Sequence, residues 1–235
     1  QESVKYGGAA TAPDAPYHEG YTDSGWDKQF DNITESITVT LNYVPNSYII
    51  RFDKNGGTSG TMQPMNMKYD QQDNLAANDF SKTGYAWIGW NTQADGNGTV
   101  YQDKQSIINL TSENNSTVTL YAQWTPNAYK IQFDKNRTDA TGTTASMNMT
   151  FDVANNLTKS GFTSVSAKFT GWNTKPDGTG TIYSNQQEVK NLTAAPNDIV
   201  TLYAQWSTNT YTVKFIDGHD NSVISSSHVD YGGNA

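Results

Sequence analysis

Thr119-Leu120-Tyr121-Ala122-Gln123-Trp124-Thr125-Pro126-Asn127 runs straight into Ala128-Tyr129-Lys130-Ile131-Gln132-Phe133-Asp134. The same phrase returns as Thr201-Leu202-Tyr203-Ala204-Gln205-Trp206-Ser207-Thr208-Asn209, followed by Tyr211-Thr212-Val213-Lys214-Phe215. A looser copy, Thr38-Val39-Thr40-Leu41-Asn42-Tyr43-Val44-Pro45-Asn46, precedes Tyr48-Ile49-Ile50-Arg51-Phe52-Asp53. Each copy is two period-two patterns joined by a few turn-forming residues, so it reads as strand, turn, strand. One module closes there and the next opens. The chain is therefore a tandem array.

Working outward, residues 47–127 make one complete module and residues 128–208 a second. Trp90 and Trp124 recur as Trp172 and Trp206, 82 residues on. In the first module Tyr48, Ile50 and Phe52 alternate, Asn55-Gly56-Gly57 turns, and Met65, Met67 and Tyr69 alternate back, which predicts an opening hairpin. Leu75 to Phe80 reads as a short helix. Tyr85 to Trp90 reads as a strand, Asp95-Gly96-Asn97-Gly98 as a tight turn, and Val118, Leu120, Ala122 and Trp124 as the closing strand. Residues 1–46 look like the later part of a shorter module, carrying Gly25-Trp26 and the alternation Ile37, Val39, Leu41, Tyr43. Residues 209–235 look like an opening hairpin. Modules of about 80 residues can fold alone around a modest core, and here aromatic side chains must supply most of it.

Composition limits the partners. A net charge of −8 opposes binding to nucleic-acid backbones or anionic membranes. No apolar run reaches membrane-spanning length, so no membrane insertion is expected. Cysteine is absent, which removes disulfides, thiolate metal sites and cysteine nucleophiles. His18, His219 and His228 lack metal-ligand spacing. The Asp-x-Gly turns lack the carboxylate order and closing Glu of a calcium loop. No nucleophile, phosphate-loop or zinc motif is present. No enzyme, cofactor or metal is expected.

The set Phe52-Asp53 with Asn55-Gly56-Gly57, Gly84-Tyr85 with Gly89-Trp90-Asn91-Thr92, Asp95-Gly96-x-Gly98-Thr99 and Leu120-Tyr121-Ala122-Gln123-Trp124 resembles the Listeria–Bacteroides repeat family, the internalin-type B-repeats of bacterial surface proteins. It is matched twice between residues 47 and 208. The second copy departs at Arg137-Thr138-Asp139, which replaces the Gly pair, and at Ser166, which replaces Gly84. The resemblance implies an α+β, strand-rich, β-grasp-like module, ubiquitin-like in outline, with a mixed sheet curled over a short helix. It also implies a non-catalytic stalk, spacer or adhesive segment, extracellular or on the cell surface.

The recurring Gly-Trp pairs place Trp26, Trp90 and Trp172 at one structural position, which is the behaviour of core anchors. Trp124 and Trp206, at the ends of closing strands, are expected to pack at the joints. Trp87 has Phe169 and Asp23 as counterparts; a place that accepts Asp is partly exposed, so Trp87 is the candidate contact for a glycan or protein ligand. Lys54 and Lys135 share an Asp-Lys-Asn setting, read as an exposed turn lysine, with an isopeptide cross-link as the sharper alternative. Asn32, Asn109, Asn136, Asn156 and Asn191 all stand in Asn-x-Ser/Thr sequons.

The two flanks complement each other on paper. Val229-Asp230-Tyr231-Gly232-Gly233 matches Val4-Lys5-Tyr6-Gly7-Gly8. A lone hairpin is marginal in water and an unpaired edge invites a partner. The expectation is that Tyr211, Val213, Phe215, Val229 and Tyr231 of one copy meet Ile37, Val39, Leu41 and Tyr43 of the next, head to tail.

Overall fold

A computed structural model describes residues 1–234. The chain divides into two compact units, Gln1–Thr83 with Trp87–Thr125, and Gly84–Ala86 with Pro126–Ala235.

In the first unit, β1 (Tyr21–Trp26) and β2 (Leu41–Pro45) form an antiparallel pair. The module that follows contains β3 (Ser47–Asp53), β4 (Met65–Lys68), β5 (Asp73–Asn74), β6 (Tyr85–Asn91), β7 (Val100–Tyr101), β8 (Ser106–Ile107) and β9 (Ser116–Pro126). Five of these make a sheet in the order β4-β3-β9-β6-β7, and β5 pairs separately with β8. The first strand of the module thus lies beside its last. β3 and β9 run parallel, from Tyr48 opposite Ser116 to Asp53 opposite Tyr121. Their alternation of Tyr, Ile, Phe and Val with polar residues buries one face, because successive side chains point to opposite sides. Tyr48, Ile50, Met67, Leu75, Trp90, Leu120 and Ala122 form the buried centre.

The second unit repeats the plan. Its strands are β10 (Ala128–Asp134), β11 (Met147–Thr150), β12 (Asn155–Asn156), β13 (Ala167–Asn173), β14 (Ile182–Tyr183), β15 (Glu188–Val189) and β16 (Ile199–Thr208). The sheet order β11-β10-β16-β13-β14 matches the first, and β10 again runs parallel to β16. Tyr129, Ile131, Met149, Leu157, Trp172, Leu202 and Ala204 are the counterparts in its core. The hairpin β17 (Thr210–Ile216) and β18 (Val223–Asp230) follows as a separate two-stranded sheet.

The α+β assignment is corrected here. Every regular element among the described residues is a strand. At the expected helix, residues 75–80 are irregular chain that follows β5, the strand paired with Ser106–Ile107, and Leu75 plugs the core from there. Six residues give too little hydrogen bonding to offset helix nucleation. Asn78 also diverts the backbone, its side chain both accepting from Phe80 N–H (3.0 Å) and donating to Phe80 C=O (3.0 Å), the competition that makes Asn poor inside helices.

Candidate functional site: the joints and the uncovered faces

The side chains singled out in the sequence fall into two settings. Trp90 and Trp172 are fully buried. Each follows a glycine of positive φ (Gly89, 137°; Gly171, 153°). At Gly171 the ladder between β13 and β16 slips by one residue, as it does at Gly25 between β1 and β2. Such a bulge turns the next side chain inward. Phe52 lies 4.9 Å from the Trp90 ring, and Phe133 lies 4.6 Å from Trp172. The indole nitrogens of both tryptophans have no hydrogen-bond partner among the described residues. Trp26 stands at the same bulge but is only half-buried. It meets Phe30 at 6.1 Å.

Trp124 and Trp206 are half-buried. Each donates its indole hydrogen within its own module, to the carbonyls of Lys54 (3.0 Å) and Lys135 (2.9 Å). They tie the end of the closing strand to the turn of the opening hairpin. The Lys135 amine itself donates to the Ala140 carbonyl. Trp87 is half-buried against Trp90, ring centroids 5.5 Å apart and nearly perpendicular. It extends the aromatic cluster.

The joints are built on an asparagine whose sequence setting suggests only a turn. Asn46 N–H donates to Gly20 C=O (2.8 Å) and Asn46 C=O accepts from Tyr69 N–H (2.8 Å). Its side-chain amide donates to Ser112 C=O (2.7 Å). Asn127 repeats all three bonds with Gly84, Phe151 and Ala194. Asn209 repeats the backbone pair with Ser166 and Tyr231. The recurrence of Asn46, Asn127 and Asn209 is visible in the sequence; their partners, tens of residues away, are not.

Beside two of these joints stands a latch. Tyr21 Oη donates to Asp70 (2.8 Å), and Asn109 both donates to Asp70 (2.7 Å) and accepts from its N–H (2.6 Å). Within the second unit Tyr85 and Asn191 hold Asp152 in the same way. Asp70 and Asp152 sit at φ 60° and 65°, a left-handed turn that short polar side chains tolerate. The amide of Asn191, then the hydroxyl of Tyr85, then Lys190 at 3.2 Å lower the Asp152 carboxyl to about 2. Asn109 and then Tyr21 lower Asp70, while the phenols of Tyr21 and Tyr85 are raised chiefly by their carboxylate partners. At the Asn209 joint a different cluster appears: Ser166, with Arg137 and Ser164, holds the Asp139 carboxyl at about 2.

Glycine is required at the first two joints. Gly20 and Gly84 have φ 76° and 78°, and a Cβ on either would strike the ring of Tyr69 or Phe151 at 2.3 Å. Ser166 occupies that place at the third joint, where Tyr231 is half exposed.

The flanking segments carry apolar faces with no cover among the described residues. Tyr211, Phe215, Ile216 and Ile224 on the β17–β18 hairpin are exposed, and Val213 and Val229 half-buried. Residues 1–39 surround a cavity of about 930 Å³ whose apolar lining includes Val4, Trp26, Phe30, Ile33, Ile37 and Val39. Leu41 and Tyr43 lie on β2 and are half-buried. No group of three or more His, Asp or Glu side chains converges as a metal site among the described residues, and no helix is long and apolar enough to cross a membrane.

These features define a class: a tandem all-β repeat protein whose modules share one joint. The family model of the Listeria–Bacteroides repeat domain matches residues 1–47, 48–123 and 129–205, and the chain belongs to that family. It is similar to a protein of Evansella cellulosilytica named for Gly-rich composition and a membrane location, with 35% identity over 158 residues, 65% of this chain and 17% of that protein. A second membrane protein by name from the same organism is 31% identical over 141 residues, 54% of this chain and 20% of its own length. The chain thus spans about a fifth of these relatives. The findings support a surface-type repeat protein.

Proposed function

We propose that the chain is a non-catalytic, load-bearing repeat segment of an extracellular or cell-surface protein. The observation that carries this reading is the parallel pairing of the first and last strands of each module, β3 with β9 and β10 with β16. Tension arriving through the backbone enters at one of these strands and leaves by the other. Because they are parallel neighbours, the interstrand hydrogen bonds are loaded together, in shear, rather than opened one at a time. The backbone bonds of Asn46, Asn127 and Asn209 anchor the chain where tension passes from one module to the next. The repeat family and the membrane-named relatives support a surface setting, and the packing of Trp87 against Trp90 supports a structural role for that ring.

Stretching the chain by its two ends tests the reading. Two main unfolding events of similar length are expected, each releasing about 25 nm of chain at ~3.3–3.6 Å per residue. Extension without resistance would refute it.

A further inference from the structure

The chain has two Asn-Gly dipeptides, Asn55-Gly56 and Asn97-Gly98, and both lie in the first complete module. Their counterparts in the second are Asn136-Arg137 and Thr179-Gly180. An asparagine before glycine is open to attack by the glycine's own backbone nitrogen, because no Cβ shields that nitrogen and the backbone bends freely there. The nitrogen bonds to the asparagine Cγ, the Cγ–Nδ2 bond breaks, and the glycine's proton departs with the amide as ammonia. Water then opens the five-membered imide to aspartate or, at the other carbonyl, to isoaspartate.

The folded module holds both sites off that path. Asn55 lies in the turn after β3, at φ 46°. Its side-chain amide donates to Ala94 C=O (2.8 Å) and to Ala122 C=O (2.9 Å), and its backbone N–H donates to Asp53 (2.7 Å). The side chain is thereby held toward β9 and the β6–β7 turn, and swinging it onto Gly56 breaks both amide bonds. At the other site the attacking nitrogen itself is engaged. Gly98 N–H donates to Oδ1 of the buried Asn91 (2.9 Å), while the Asn97 amide donates to Asp95 (2.8 Å). Both reactions wait for the module to open, so their rates follow the population of the open state.

We infer that Asn55 is a spontaneous deamidation site gated by unfolding, and that its conversion stops the first complete module from regaining its native stability. Aspartate or isoaspartate at position 55 has no N–H to give, so the Ala94 and Ala122 carbonyls lose their donor and face a carboxylate instead. The tie from the turn of the opening hairpin to the closing strand goes with them. Asn97 converts under the same conditions, but its amide's partner is Asp95 on an exposed turn, so the fold loses little there. Asn136 makes the equivalent tie in the second module, to the Pro176 and Ala204 carbonyls, and the Cβ of Arg137 screens the nitrogen that would attack it. The second module therefore refolds unmarked. This holds whatever opens the modules, whether tension, heat or denaturant, and so stands apart from the load-bearing reading.

The test holds the full-length chain in guanidinium chloride and, in parallel, in the same mildly alkaline buffer without it, with peptide mapping by mass spectrometry at intervals. In denaturant Asn55 and Asn97 should convert together, at least about tenfold faster than in the native chain, while Asn136 stays asparagine in both. After the denaturant is removed, hydrogen exchange of the converted molecules should show weakened protection over residues 47–126 and undiminished protection over residues 128–208. Full-length Asn55→Asp, never exposed to denaturant for longer than its preparation requires, should show the same local loss, and Asn97→Asp should not. Equal conversion of Asn55 with and without denaturant, or wild-type protection of residues 47–126 in Asn55→Asp, would overturn the inference.

Discussion

The phenol of Tyr85 donates a 2.8 Å hydrogen bond to the carboxylate of Asp152, 67 residues further along the chain. The same bond joins Tyr21 to Asp70. In both places an asparagine amide, Asn191 or Asn109, completes the carboxylate's shell. The latch therefore fixes the turn after the opening hairpin against two other segments at once.

Its pH dependence follows from the sign of the shifts. Asp152 is lowered from 3.8 to about 2, so its contribution to stability is fully present above pH ~3.8 and is lost as pH falls toward 2. In Asp152→Asn the decline of the unfolding midpoint between pH 4 and 2 should be shallower than in the wild type, with the share due to Asp139 remaining. Tyr85→Phe should raise the carboxyl pKa of Asp152, measured by carbon NMR. An unchanged value would mean that the hydroxyl plays no part.

Gly84→Ala should destabilise the second unit by about 1–3 kcal/mol, combining a strained left-handed residue with a clash against Phe151. Gly218→Ala, where an added Cβ meets nothing within 4 Å, is the control and should be close to neutral. Chemical denaturation measures both.

Trp90→Ala should cost about 3–5 kcal/mol, the usual range for a fully buried aromatic. Trp26→Ala, at the same bulge but only half-buried, should cost clearly less, about 1–2 kcal/mol. Equal losses would mean that Trp26 is as well packed as its counterpart.

Asn109 and Asn191 stand in glycosylation sequons, yet their amides are engaged by Asp70 and Asp152. The Asn136 amide likewise donates to Pro176 and Ala204 carbonyls. Asn191→Ala should lower the thermal midpoint and raise the pKa of Asp152, whereas Asn156→Ala, at an exposed position, should do neither.

Much of the architecture is legible in the amino-acid sequence, because period-two alternation with one buried face has few other interpretations. Tyr48-Ile50-Phe52 and Val118-Leu120-Ala122 declare their strands, and the 82-residue echo of the tryptophans declares the repeat. The short helix expected from Leu75 to Phe80 fails because its two apolar anchors, Leu75 and Phe80, both reach the core from irregular chain. The second module argues the same way: Leu157-Thr158-Lys159-Ser160-Gly161-Phe162 carries β-branched, Ser and Gly residues that disfavour helix. Strands of two residues, such as β5 and β8, are too short to show any period. The latches stay hidden because their partners lie 39 to 67 residues apart, and sequence spacing does not report such pairing.

The load-bearing account rests on the direction in which the outer strands are pulled. In a cysteine-free chain, handles can be attached at the ends, or at Ala128→Cys and Thr150→Cys, which face each other across the antiparallel β10–β11 pair. Pulled from its ends, the second module should resist with a well-defined rupture force. Pulled from residues 128 and 150, it should open pair by pair at a force several times lower. Equal forces in the two geometries would contradict the shear arrangement.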